Sequence, residues 1–426
     1  MPEILLHYIW QKKAFLPFPQ TTTDGKRVEV IDVGIHNADA GPDFFNAKIR
    51  INGIIWVGNI EIHVNSSDWF RHHHHTDPAY DNIILHVVKK ADKKVYNSQG
   101  DAITQCELKY PQDQEQLERW LQDKLALCNF KLEQDPSLLT DSWKTALLND
   151  RICKKNNAIK QLLKIVNHNW EEAFYITLAH NFGFHTNSTP FELTAQQTPL
   201  AFLLKHRNNL FQVEAILFGQ AGLLNPQTAT DDYSKLLLKE YLFLQKKFNL
   251  TPIDSYLWKM LRMRPQNFPH VRIAQFAALI HNSEFLFSKI IGTTDLKQLR
   301  KFFDIQTSEY WTTHYCFNKK SNSAIKNIGK NAQDLLIINT VMPYQYAYAE
   351  YRNNLIGKQN ALQLLNHIPA EHNHIIDQWK LLGLNIKNAA DSQSFIHLYQ
   401  NYCLVQRCMH CDVGYQIFTK TTGEDE

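Results

Sequence analysis

Asp43 stands at the start of one apolar strand pattern, and Glu61 and His63 stand inside the next, in the stretch PDFFNAKIRINGIIWVGNIEIHV. A half-desolvated carboxylate costs several kcal/mol unless something pairs with it. These groups must therefore be hydrogen-bonded or hold a cation. Side chains alternate along a strand, so Asn59, Glu61, His63 and Asn65 share one face and Ile60, Ile62 and Val64 the other. One face is apolar, and the other is a polar ladder suited to lining a site.

Other residues carry metal-ligand chemistry. His72-His73-His74-His75 is an internal run. On a helix His72 and His75 share a face, one turn after Asp68. Such a run is ordinarily solvated surface, but one member, with Asp77 or His86, could join the Glu61 face. A Glu/His/Asp/His set suits Zn²⁺, Mn²⁺ or Fe²⁺ as well as Mg²⁺. Near the C-terminus Cys403, Cys408 and Cys411 give Cys-x4-Cys-x2-Cys. That spacing fits zinc or an iron–sulfur cluster completed by a fourth ligand, and equally fits plain buried thiols. Arg264 and Arg272 flank Pro265-Gln266-Asn267-Phe268-Pro269 before an apolar helix, where they could grip phosphates or brace the helix end.

The elements that must position these groups follow from patterning. Residues 3–13 place Leu5, Leu6, Ile9 and Trp10 at helical spacing, with Glu3, His7 and Trp10 on one side. Strands are expected at 27–33, 44–51 and 54–64, the last two joined by Asn52-Gly53, a strong hairpin signal. A short helix from Asp68 through the four histidines precedes a buried strand at 82–88, and short strands follow near 94–96 and 103–109. A regular two-residue hairpin pairs Ile51 with Ile54, which puts Phe44 opposite Glu61 and Asp43 opposite Ile62, on the wrong face. One extra residue in the second strand, at Gly58, would bring Asp43 beside His63.

After Tyr110 helical periodicity takes over, for example at 143–166, 199–218, 233–248 and 271–280. The expected organisation is an α/β domain over 1–110, a large all-α region over 111–400 and a cysteine-containing tail over 401–426. Composition is that of an ordinary soluble chain: 44% hydrophobic, 20% charged, net charge +3. No apolar run is long enough to span a bilayer, and the N-terminus lacks a signal-peptide cleavage site, so a cytoplasmic, bacterial-type protein is expected. Seven scattered cysteines do not form a disulfide framework. Residues 1–110 hold 12 Lys+Arg against 13 Asp+Glu. Any DNA or RNA groove is then expected to be local, along Lys154-Lys155 and the arginine segment, rather than a whole-domain basic face.

Pro42-Asp43 followed by Glu61-Ile62-His63, in the order helix, three strands, helix, strand, resembles the PD-(D/E)XK nuclease superfamily. The resemblance implies a restriction-endonuclease-like α-β-β-β-α-β core. It further implies Mg²⁺ or Mn²⁺ held by Asp43 and Glu61 and an acidic residue on the first helix, to which Glu3 corresponds. Phosphodiester hydrolysis is the implied reaction. His63 departs from the pattern, standing where lysine is usual. A neutral imidazole can orient or deprotonate water, or ligate a softer metal. Two alternatives stand beside the nuclease: another metal-dependent hydrolase or oxygenase with Glu and His ligands, and a non-catalytic nucleic-acid or protein scaffold. Nearly the whole chain also resembles an uncharacterised bacterial domain-of-unknown-function family. Gly41-Pro42-Asp43-Phe44, Trp56 to His63, Ser66 to Trp69, Leu85 to Val88, Arg264 to Pro269 and the C-terminal cysteines carry that resemblance.

Overall fold

The computed structural model describes residues 3–11, 13, 15, 19–37, 41–110, 128, 132–405, 407, 411–414 and 416. The chain divides into two compact units, Met1–Lys124 and Leu125–Glu426.

The first unit is a mixed sheet with a helix on one face. Helix α1 spans Glu3–Gln11, and the sheet contains β1 (Gln20–Thr21), β2 (Arg27–Asp32), β3 (Ile35–His36), β4 (Phe44–Ile51), β5 (Ile54–Asn65), β6 (Ile83–Lys90) and β7 (Gln105–Glu107). The order is β1-β2-β4-β5-β6-β7, with β3 beside β4. Strands β2, β4 and β5 form an antiparallel meander, while β6 runs parallel to β5 and β7 parallel to β6. A parallel step needs a crossover. Here it contains the four-residue helix α2 (Asp68–Arg71) and the two short turns His74–Thr76 and Pro78–Tyr80.

Alternation along the central strands separates two apolar clusters. Leu6, Ile9 and Trp10 of α1 pack with Phe44, Ile49, Ile60, Ile62, Leu85 and Val87, and the Trp10 indole donates to the Val33 carbonyl at 3.1 Å. Trp69, Tyr80, Ile83 and Val95 form the other cluster under the crossover. Both faces of β5 are covered at Ile60–His63, whereas Ile54, Ile55, Trp56 and Val57 at its far end are exposed.

The hairpin contains a bulge, but in the opposite strand from the expected one. Ile51 pairs with Ile54 and this register holds to Ala47 opposite Gly58; Phe44 then pairs with Ile60. The extra residue lies at Phe45–Asn46, where Asn46 takes a left-handed conformation, φ 56°. Asp43 is thereby brought opposite Glu61 rather than His63. Gly58 serves a different purpose. A Cβ there would lie 2.4 Å from Ile84 Cγ2 and 2.8 Å from the Asn82 carbonyl, so glycine lets β6 enter the sheet.

Among its described residues the second unit is helical apart from a two-stranded ribbon, His314–Cys316 with Lys319–Lys320. Many of its helices start on side-chain caps: Thr140, Asn169, Asn209, Asp231, Asn354, Asn373 and Asn388 each accept from the backbone N–H three residues on. The apolar stretch expected as one helix over 199–218 is two, Leu200–Lys205 and Leu210–Gln220, because Asn209 opens a new helix. Among the described residues no helix is long and apolar enough to cross a membrane.

Candidate functional site

The bulge makes Asp43 and Glu61 hold each other. The Asp43 N–H donates to Glu61 Oε2 at 3.1 Å, and the Ile62 N–H donates to Asp43 Oδ2 at 2.8 Å. Helix α1 supplies His7, whose Nε2 lies 3.3 Å from Asp43 Oδ2, with Glu3 one turn earlier. Glu61 is nearly fully buried and Asp43 half-buried, so the pair opens to solvent on the Asp43 side.

The other oxygen of Glu61 faces imidazoles. His74 Nε2 is 3.2 Å and His63 Nε2 3.6 Å from Glu61 Oε1. His63 Nδ1 contacts Nε2 of His86 at 2.8 Å, and His63 Nε2 contacts Nδ1 of His72 at 3.1 Å. His86 stands directly beside Glu61 on the neighbouring strand, which explains why a histidine in the middle of β6 is completely buried. His74 is stacked on Tyr80, ring centroids 3.8 Å apart, and packs edge-on against Trp69.

The four-histidine run is not one helix. Helix α2 ends at His72, and His73 turns left-handed, φ 61°. That reversal sends His72 and His74 toward β5, while His75 packs beside Phe70. The expected pairing of His72 with His75 is replaced by His72 with His74. The ligand nitrogens of His63, His72 and His74 lie within 4.8 Å of one another, among the described residues a unique grouping of its kind.

Burial sets the protonation states. Glu61 is pushed well above the ordinary carboxylate range, first by burial and then by the charge of Asp43. Glu3 is raised for the same two reasons. Burial, then neighbouring imidazoles, holds His63 at about 2; His74 is held at about 4 and His86 at about 3. These rings are neutral lone-pair donors at physiological pH. His7 is opposite: burial pulls it down, but contact with Asp43 and the charge of Glu3 outweigh this and leave it raised.

A protein-family model described as "Protein of unknown function (DUF2851)" matches residues 3–374. The chain belongs to the DUF2851 family. The match takes in Glu3, Asp43, Glu61 and every histidine around them. Comparison with curated proteins and with solved structures gave no match.

The remaining residues singled out from sequence lie in the second unit. Within the DUF2851 match, Arg264 is exposed, and Arg272 is engaged by its neighbours. Its guanidinium donates to Asn267 at 2.7 Å and to Gln275 at 3.0 Å and lies over the Phe184 ring. Those contacts brace the start of helix Pro269–Asn282. Lys155, considered for a nucleic-acid groove, donates inward to Asn339 and Gln393 at 2.9 and 2.8 Å. Beyond the match, Cys403 is half-buried and Cys411 buried in an apolar cluster with Trp379 and Phe395, and Cys408 lies outside the described residues.

His7, His74 and His86 were not singled out as primary site residues. The signal for His7 was present, since Glu3 and His7 are one helical turn apart. That for His74 was not, because its direction depends on the left-handed His73.

Proposed function

We propose that the protein is a metal-dependent phosphodiester hydrolase acting on DNA or RNA, with a restriction-endonuclease-like core. The observation that carries this reading is the bulge at Phe45–Asn46, which sets Asp43 against Glu61 at the solvent-facing end of the site. An antiparallel meander followed by a parallel step through a short helix agrees with the α-β-β-β-α-β order that the Pro-Asp and Glu-x-His residues suggest. Mg²⁺ or Mn²⁺ fits the donor set: two carboxylates share one place, and Glu61 is raised by its own burial and by the charge of Asp43. A divalent ion there supplies phosphate charge neutralisation and water activation.

The chain's own groups have separable parts in such a reaction. Backbone N–H groups of Asp43 and Ile62 fix the two carboxylates. His7, charged more readily than an ordinary histidine, balances Asp43 and presents a cation toward a phosphate. Glu3 keeps a proton to higher pH than a free carboxylate, as a general acid in such a reaction would need to do. His63 is a poor base at the third signature position, being buried and held neutral.

A second reading, a hydrolase or oxygenase for a small molecule, is favoured by the imidazoles around Glu61 Oε1. Incubation of wild type, Asp43→Asn and Glu61→Gln with single- and double-stranded DNA and RNA, with Mg²⁺ or Mn²⁺, separates the readings. Metal-dependent cleavage by wild type, reduced at least 100-fold in both variants, is expected. Absence of cleavage of every nucleic acid overturns the phosphodiesterase; nucleic-acid binding without cleavage would leave a scaffold.

A further inference from the structure

We propose that His63, His72, His74 and Glu61 form a four-coordinate site for a borderline divalent cation, with Zn²⁺ as the best fit; it shares the Glu61 carboxylate with the Asp43–Glu61 pair but replaces Asp43 by three imidazoles. The site goes beyond the phosphodiesterase reading, since it concerns cation binding and stands whether or not nucleic acid is cleaved.

Spacing is the first argument. Zinc binds imidazole nitrogen and carboxylate oxygen at about 2.0–2.2 Å, so neighbouring donors of a tetrahedral set are roughly 3.3–3.5 Å apart. His63 Nε2 to His72 Nδ1 is 3.1 Å, His74 Nε2 to Glu61 Oε1 is 3.2 Å and His63 Nε2 to Glu61 Oε1 is 3.6 Å. Three donor–donor distances thus fall near that edge length, and the ligand nitrogens of His63, His72 and His74 all lie within 4.8 Å of one another.

Hydrogen bonding is the second. His74 is over nine-tenths buried, and its Nε2 has no hydrogen-bond partner although Glu61 Oε1 is only 3.2 Å away. The two atoms point past each other. An unpaired buried polar atom is destabilising, and the ring is held in place by stacking on Tyr80 and edge-on packing against Trp69. A cation at the convergence point uses that lone pair.

Support from outside the ligand set is the third. A ligating histidine ordinarily has its second ring nitrogen held by an outer partner. His63 has this arrangement, with Nδ1 on Nε2 of the fully buried His86 and Nε2 directed at the cluster. His72 is exposed, which gives the ion an entrance. Nitrogen-rich donors select zinc over magnesium, which prefers oxygen and retains water.

The test uses the full chain, stripped with a chelator and titrated with Co²⁺, then with Zn²⁺ in competition. One equivalent of Co²⁺ should give the strong visible bands of four-coordinate cobalt without thiolate charge-transfer absorption in the near ultraviolet, and Zn²⁺ should abolish them. The surface substitution His72→Ala and the smaller replacement His74→Asn should each weaken binding by at least about tenfold, while Asp43→Asn should retain the bands. Weak octahedral bands, affinity unchanged by His72→Ala, or absorption from thiolate ligation alone would overturn the site. Cleavage of nucleic acid by a protein that binds no Co²⁺ in this way would refute the zinc site and leave the phosphodiesterase standing; four-coordinate Co²⁺ without cleavage would do the reverse.

Discussion

Glu214 offers a sharp test of how burial governs charge in the helical unit. It lies on helix Leu210–Gln220, fully buried, and accepts hydrogen bonds from the Tyr233 hydroxyl and from Ser308 Oγ at 2.9 Å. Burial outweighs those donors and pushes its carboxyl up to about 7 from an ordinary 4.5. The folded chain therefore keeps a proton that the unfolded chain releases between those values. The resulting stabilisation is complete below pH 4.5 and is lost as pH rises through 7. A shift of 2.5 units corresponds to about 3 kcal/mol at 1.36 kcal/mol per unit. Glu214→Gln removes the titration, with the amide oxygen accepting from one of the two hydroxyls and the amide NH2 donating to the other. Hydrogen exchange of peptides from 210–220, corrected for intrinsic rates, should show wild type losing about 3 kcal/mol of protection relative to the variant between pH 4.5 and 8. That is a change on the order of 100-fold in exchange rate. Parallel pH profiles for the two proteins would refute the reasoning.

Gly58→Ala should lower stability by about 1–3 kcal/mol, read by thermal unfolding, because its Cβ meets the Asn82 carbonyl, which cannot swing away as a side-chain tip could. Asn46→Val places a β-branched residue in a left-handed conformation and should cost about 1–2 kcal/mol. It should also weaken any metal-dependent cleavage, since the bulge holds Asp43 opposite Glu61; full activity with unchanged stability would show that the bulge is not needed.

Much of the first unit could be read from residue order. Asn52-Gly53 fixed the hairpin, and alternation placed Ile60 and Ile62 against Glu61 and His63. The need for a one-residue irregularity was also legible, since a regular hairpin separates Asp43 from Glu61. Which strand contains it was not. Gly58 is conformationally permissive and looked the natural place, but its freedom is used by the close approach of β6, and Asn46 tolerates the left-handed turn instead. His73 defeats sequence reading similarly. Four histidines after an N-cap read as helix, and only a backbone reversal that tertiary packing imposes sends His72 and His74 to the same point. In the second unit the apolar periodicity over 199–218 hid the cap at Asn209, because flanking residues on both sides continue the pattern.

The imidazole and carboxylate donors around Glu61 also have a temporal meaning. Glu61, His63, His72 and His74 occupy a segment whose ends are thirteen positions apart. Closing so short a loop has a small entropic cost, and the cost rises only logarithmically with length. Assembly of this corner therefore requires only β5 and its crossover, whereas the carboxylate pair also requires β4 docked across the hairpin. During synthesis from the N-terminus, all four donors have emerged long before the helical unit exists. If the proposed ion binds, a nascent chain would acquire it early, and it would then pin the crossover to β5 while β6 adds alongside in parallel, the slowest kind of pairing in the sheet.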